Sequence, residues 1–184
     1  MYCSGAVGRS ERKISIIGDV IPVDNGEILR MLDWNNSETV QARGIQLARK
    51  CKDLSAFMQP TFCDCNKNVW DNCAKIVCER SDLELQPYML QLLEWIQDFN
   101  WPGAILIFER LKSCSGDVLI KPFLQAVQRA LNDKDRNEEW LYHLSAYIRR
   151  PDIYKALSDA QINILEKMYV YFWGDNGDMC TQEN

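Results

Sequence analysis

The chain has a single histidine, His143, in 184 residues. A His-rich metal site is therefore excluded, and a hydrolytic triad would have to be built on that one residue. No apolar stretch of 7–15 residues follows a basic start, so no secretory leader is read. No run approaches the ~20 apolar residues of a membrane span. The phosphate-cradling patterns G-x-x-x-x-G-K-[ST] and G-x-G-x-x-G are missing, as are H-E-x-x-H and G-x-S-x-G. Excess positive charge is missing too: 21 basic side chains face 26 acidic ones, a net charge of −5. Phosphate-backbone binding rests on Lys and Arg, so this balance disfavours a nucleic-acid role. These absences predict a cytoplasmic protein with no cofactor and no membrane partner.

Cysteine is present in number, with eight residues at 3, 51, 63, 65, 73, 78, 114 and 180. In a reducing compartment they are thiols rather than a disulfide framework. Four of them make C-x-C-x7-C-x4-C from Cys63 to Cys78, which raises a zinc reading. The usual CxxC knuckle is absent, and Cys73 and Cys78 on one helix would point about 140° apart. The expectation is no metal, with small, mostly buried cysteines and with Cys63 and Cys65 as the exposed thiols.

The hydrophobic fraction is 47%, and its periodicity is helical. Residues 14–23 form the single β-branched run, broken by Gly18, Asp19 and Pro22, and read as an extended or partly ordered N-terminal arm. After residue 26 the chain reads as helices with short polar breaks. Helices are expected from Ser37 to about Lys50, over 54–58, over 68–80, and from Pro87 to about Gln97. A further one is capped by Asn100, with Pro102 in its first turn and Ile105, Phe108 and Leu111 as its face. Another starts at Pro122, one covers 137–149, and the last is capped by Ser158. The expected organisation is an arm over 1–25, one helical domain over 26–174 and a polar tail over 175–184.

The helices repeat. Leu32, Asp33 and Trp34 match Leu93, Glu94 and Trp95 at an offset of 61 residues, and residues 39–54 match 68–83 at an offset of 29. Trp101 to Trp140 is stretched to 39 by the charged stretch 132–139. A period of 30–39 residues is that of stacked helix pairs, in which no unit buries its apolar face alone. Trp34, Trp70, Trp101 and Trp140 would mark the turns of successive units. The fold class is therefore all-α, a HEAT-like α-α superhelix of four to five antiparallel pairs.

The most distinctive stretch is LLEWIQDFNWPGA, residues 92–104. With Pro87-Tyr88 before it and Asp133 or Asp135 followed by Trp140 after it, it resembles the signature of a bacterial family of small helical proteins filed as a domain of unknown function. The resemblance covers about residues 78–148. It implies a HEAT-like superhelix with no established activity. It also implies, more loosely, kinship with small acidic proteins that neutralise toxins as immunity proteins.

The candidate partner- or ligand-binding residues are Glu94, Asp98, Asn100, Trp101 and Trp140. Most have a structural account. Asn100 can cap a helix, Asp98 can accept from free amides at the same helix start, and the two Trp of the signature can bury their rings with the indole N–H satisfied at the turn. Glu94, in the last turn of its helix, has the least structural reason unless it pairs with Arg110 or Arg80. His143 is expected as a hydrogen-bonded, partly buried residue.

The favoured function is a non-catalytic helical-repeat module that binds a basic protein, a toxin held by an immunity-type protein being one example. A second reading is a small-ligand-binding protein or enzyme built on the Glu94, Asp98, Asn100 and Trp101 turn. A third is a HEAT-like DNA-binding protein or glycosylase using Arg43, Arg49, Lys50 and Lys52, although a charge cluster on a helix is usually its solvated face.

Overall fold

The computed structural model describes residues 24–60, 66–132 and 138–174. Residues 1–23 of the arm expected over 1–25, Cys63, Cys65, the signature acids Asp133 and Asp135, and the tail over 175–184 lie outside the described residues, and Asn25, expected in the arm, opens the first helix. Within them every regular element is helical: α1 (Asn25–Met31), α2 (Glu38–Ala48), α3 (Trp70–Cys78), α4 (Asp82–Leu85), α5 (Met89–Trp95), α6 (Ala104–Lys112), α7 (Gly116–Asn132), α8 (Glu138–Ser145), α9 (Pro151–Ala156) and α10 (Asp159–Trp173), with short 3-10 turns between several of them.

Packing follows chain order. Helix α2 lies on α1 and α3, α3 on α6, α5 on α6 and α7, α7 on α8 and α9, and α10 on α8. Each helix buries its apolar stripe against near neighbours, a pattern consistent with a helical-repeat architecture. One continuous core runs from Ile28 to Trp173.

A set of arginines stitches successive units together. Arg80, just past α3, donates to the carbonyls of Ala48 (2.9 Å) and Cys51 (3.3 Å) at the end of α2. Arg110, in the last turn of α6, donates to the Arg80 carbonyl at 2.9 Å. Arg150 reaches the carbonyls of Leu111 (3.5 Å) and Lys112 (3.2 Å) at the end of α6. The last carbonyls of a helix lack intrahelical donors and carry partial negative charge, so a guanidinium from the next unit satisfies them doubly. The offsets match the 30- to 40-residue period. The matched residues Leu32 and Leu93 behave alike as well. The Leu32 carbonyl accepts from Asn72 Nδ2 at 2.7 Å, and the Leu93 carbonyl from Trp140 Nε1 at 2.9 Å.

Several local expectations are corrected. Helix α7 starts at Gly116, and Pro122 lies inside it. Its start is held from the preceding unit, because Asp82 Oδ2 accepts the Ser115 amide at 2.7 Å. That bond holds the Asp82 carboxyl below its usual range, with Arg110 adding to the effect. The helix after the signature begins at Ala104, so its inward face is Ala104, Ile107, Phe108 and Leu111. Ile105 and Leu106 are exposed instead. Residues 54–58 hold a single 3-10 turn, Ser55–Phe57. The stretch 137–149 divides into α8 and the 3-10 turn Ala146–Arg149. Helix α9, with Pro151 in its first turn, and α4, with a Ser81/Glu84 capping box, are additional. Ser158 caps the last helix as expected, through a reciprocal box with Gln161. Trp34 is 45% exposed and anchors its turn through its backbone, whose N–H donates to the Asn68 carbonyl at 3.1 Å.

Candidate functional site

Helix α5 and helix α7 lie side by side, and the N-terminal part of α8 closes one end of the trough between them. The resulting concavity has a volume of about 750 Å³ and is lined by Leu90, Glu94 and Gln97 on one side, by Gln125, Gln128, Arg129 and Asn132 on the other, and by Trp140. On α7 the positions 125, 128, 129 and 132 are i, i+3, i+4 and i+7, one face of the helix. The opposite face, with Phe123, Ala126, Val127 and Ala130, is buried. The trough is thus the solvated side of an amphipathic helix packed beside the solvated edge of α5.

Glu94 pairs with Arg129 across this trough, with side chains 31% and 55% exposed respectively. The expected partners Arg110 and Arg80 are committed elsewhere: Arg110 to Asp82 at 2.6 Å and Arg80 to Glu84 at 3.5 Å. The correction follows from topology, since α5 also packs beside α7, whose exposed face carries Arg129. A half-exposed ion pair of this kind contributes about 0–1 kcal/mol. It orders the trough without locking it.

Asp98 and Glu139 directly follow or precede the lining residues Gln97 and Trp140. The Glu139 carboxyl is pushed up by partial burial and then by the charge of Asp98, which places the two carboxylates in mutual repulsion at that end. Behind them His143 is 1% exposed. Its ring stacks on Phe99 with centroids 3.5 Å apart and 3° between planes, and Nδ1 lies 2.7 Å from the Ile96 carbonyl. Burial lowers its pKa to about 4. His143 is hydrogen-bonded as the sequence led one to expect, but fully rather than partly buried, and it is neutral with Nδ1 donating.

The five candidate residues separate. Glu94 and Trp140 line the trough, while Asp98 follows the lining residue Gln97 without lining it. Trp140 is 3% exposed, so it builds the wall and offers little surface. Asn100 does not cap a helix. Its own N–H donates to Asp98 Oδ1 at 2.7 Å, closing a tight turn before the helix can start. The cap position is taken by Gly103, at φ 80° with no side-chain cap. A Cβ there would lie 2.5 Å from the Ala74 Cβ, so both the left-handed backbone and the closeness of α3 require glycine. Trp101 packs edge-to-face on Trp70 with centroids 6.0 Å apart, on the α3 side. Trp95 does hold the turn, donating Nε1 to the Pro102 carbonyl at 3.0 Å. The glutamines of the trough and Arg129 were not singled out in the sequence. Their spacing on one polar face of α7 was the available signal.

Of the cysteines, Cys73 and Cys114 are buried and Cys51 and Cys78 half-buried. Burial pushes the Cys78 and Cys114 thiols up to about 11. Among the described residues no group of three His, Cys, Asp or Glu could hold a metal ion, and no helix is long and apolar enough to cross a membrane.

The molecule is thus an all-α domain of helices packed in chain order, with a polar trough on one side. Residues 66–166, more than half of the chain, match the family described as Domain of unknown function (DUF5071), and the chain belongs to that family. The match contains the signature stretch, all five candidate residues and the whole trough. Neither the curated proteins nor the solved structures contain a match.

Proposed function

We propose that this protein is a non-catalytic, HEAT-like helical-repeat module that works in the cytoplasm by binding a basic protein partner in the trough between α5 and α7. The carrying observation is the trough itself, where Glu94 faces Arg129 and where Asp98 and Glu139 adjoin the lining residues Gln97 and Trp140 in the chain. The whole chain carries a net charge of −5, and complementary charge steers and orients association. The period of 30–40 residues and the arginine stitching support the superhelix, in which the second helices of successive units provide a continuous binding face. A basic toxin held by an immunity-type protein is one partner of the required chemistry.

The test is capture from the native host on two matrices, one carrying the natural chain and one carrying Glu94→Lys. A basic protein retained by the first, eluted by salt and missing from the second supports the proposal. The same proteins on both matrices, or acidic proteins on the first, contradict it.

A further inference from the structure

Helix α10 is apolar on both sides. Residues 168–173 read MYVYFW, and at about 100° per residue such a run goes more than once around the helix. The domain can bury only one side of it. Tyr169 and Trp173 face inward and are buried, while Val170 and Tyr171 are 53% and 58% exposed. A surface helix keeps its outer side polar, and so does the terminal unit of a helical stack; α10 does not. Residues 175–184, which follow it, carry one Met and one Cys and are otherwise polar or Gly, so they offer no apolar stripe to lie over it. The apolar stretch 14–23 precedes α1, which packs on α2 at the other end of the chain-ordered packing.

The exposed side has relief. Glu166 with Val170 and Lys167 with Tyr171 form two i, i+4 ridges, and between them lies a concavity of about 460 Å³ lined by these four residues. Tyr142 of α8 stacks on Tyr171 with centroids 5.3 Å apart, and Tyr154 of α9 donates to Glu166 at 3.3 Å, so both ridges are braced from neighbouring helices. A groove between i, i+4 ridges takes an i, i+4 ridge of another helix, with the two axes crossing at about −50°.

We propose that the outer side of α10 is a self-association surface, on which a second copy of this chain packs its own α10 about a two-fold axis. A two-fold contact needs a patch that complements itself, and this one does. With the axis running along the ridges, the Glu166–Val170 ridge of each copy enters the other's groove. Val170 then meets Val170 and Tyr171 of the other copy, and Glu166 comes beside Lys167 of the other copy. Apolar tips bury apolar tips, and the charged end forms a Lys–Glu–Glu–Lys row in which every carboxylate has an ammonium beside it. One acid and one base offset each other in this slot, so a strongly basic or strongly acidic partner gains nothing from its charge here. A contact confined to one helix face falls below the roughly 800 Å² per partner of a standard interface, so the dimer is a weak one. None of the four residues lines the trough, and this inference stands or falls apart from the basic-partner reading.

The experiment is sedimentation velocity on the full chain under reducing conditions, from about 1 to about 300 µM, joined to amide hydrogen exchange at both ends of that range. The expected result is a monomer–dimer equilibrium, with protection added in residues 164–171 at the high concentration alone. Val170→Asp, in a chain whose melting at low concentration is unchanged, should weaken dimerisation at least tenfold. Glu166→Lys and Lys167→Glu should each weaken it several-fold, and the two together should restore it. Ile105→Asp, on the exposed side of α6, should leave it unchanged. A monomer at every concentration, open-ended association, a dimer that survives Val170→Asp or is lost with Ile105→Asp, or a double reversal no better than the single ones would overturn the proposal. Protection of residues 164–171 already complete at the low concentration would assign the surface to a segment of the same chain and overturn it as well.

Discussion

Replacing Gly103 by alanine tests the turn that separates the signature tryptophans. Gly103 has φ 80°, and a non-glycine residue there costs about 1–2 kcal/mol in backbone strain. The added methyl would sit 2.5 Å from the Ala74 Cβ and 3.2 Å from the Trp70 carbonyl oxygen. Neither neighbour is the end of a flexible side chain: Ala74 is fully buried on α3, and the second contact is backbone. Relief requires α3 and the turn to separate, an overpacking effect of about 1–3 kcal/mol. Gly103→Ala should thus destabilise by about 2–5 kcal/mol. For a chain of this length that corresponds to roughly 5–15 °C in melting temperature.

The assay is urea unfolding followed by tryptophan fluorescence, with Trp70 and Trp95 as reporters beside the perturbation, and by circular dichroism as a second probe. A double-mutant cycle separates the two contributions. Ala74→Gly alone weakens α3 by about 1 kcal/mol. In the Gly103→Ala background it removes the clashing methyl, so a coupling of about 1–2 kcal/mol is expected. A Gly103→Ala protein within 0.5 kcal/mol of the natural chain, or strictly additive effects, would refute the account of this turn.

Three other perturbations follow. His143 folds with a pKa of about 4 against an ordinary 6.5; the unfolded chain takes up the proton first, so stability is full above 6.5 and falls toward pH 4, by about 3 kcal/mol from this residue. Urea unfolding across that window should show a pH slope that His143→Gln reduces by about one proton; an unaltered slope contradicts the assignment. Arg110→Ala frees the carbonyl of Arg80 and leaves Asp82 without its guanidinium, and should cost about 3 kcal/mol by thermal or urea unfolding; a loss under 1 kcal/mol would show that the stitching is incidental. Cys78 and Cys114, with thiols pushed up to about 11 from 9, carry about 100-fold less thiolate than an ordinary cysteine at neutral pH. Iodoacetamide labelling resolved by mass spectrometry should modify both far more slowly in the folded than in the unfolded chain, and equal rates would contradict their burial.

The sequence reports well where a local interaction decides the structure. The last helix starts where Ser158 and Gln161 close a box, Trp95 ends α5 and donates at the turn, and His143 is hydrogen-bonded as expected, though fully buried. The all-helical character was legible for the same reason, since helical periodicity is a local pattern. What escaped depends on partners in other units. The start of α7 is held by Asp82, over thirty residues earlier, so Pro122 looked like a better first turn than it is. The partner of Glu94 is fixed by which helix packs beside α5, and only the fold brings Arg129 there. The Asn100 cap failed because Asp98 captures the Asn100 amide first, shifting the helix start to Ala104 and turning Ile107 inward in place of Ile105. The trough follows from that packing as well: its glutamines read as an ordinary solvated face until a second helix lies alongside.

The most direct test of the binding account is amide hydrogen exchange on the full chain, free and saturated with its captured basic partner. Added protection is predicted in residues 90–98 and 125–140, on both walls of the trough and its acidic end. Protection confined to the exposed Ile105 and Leu106 side of α6 or to the Val170 and Tyr171 side of α10, with the trough unchanged, would contradict it.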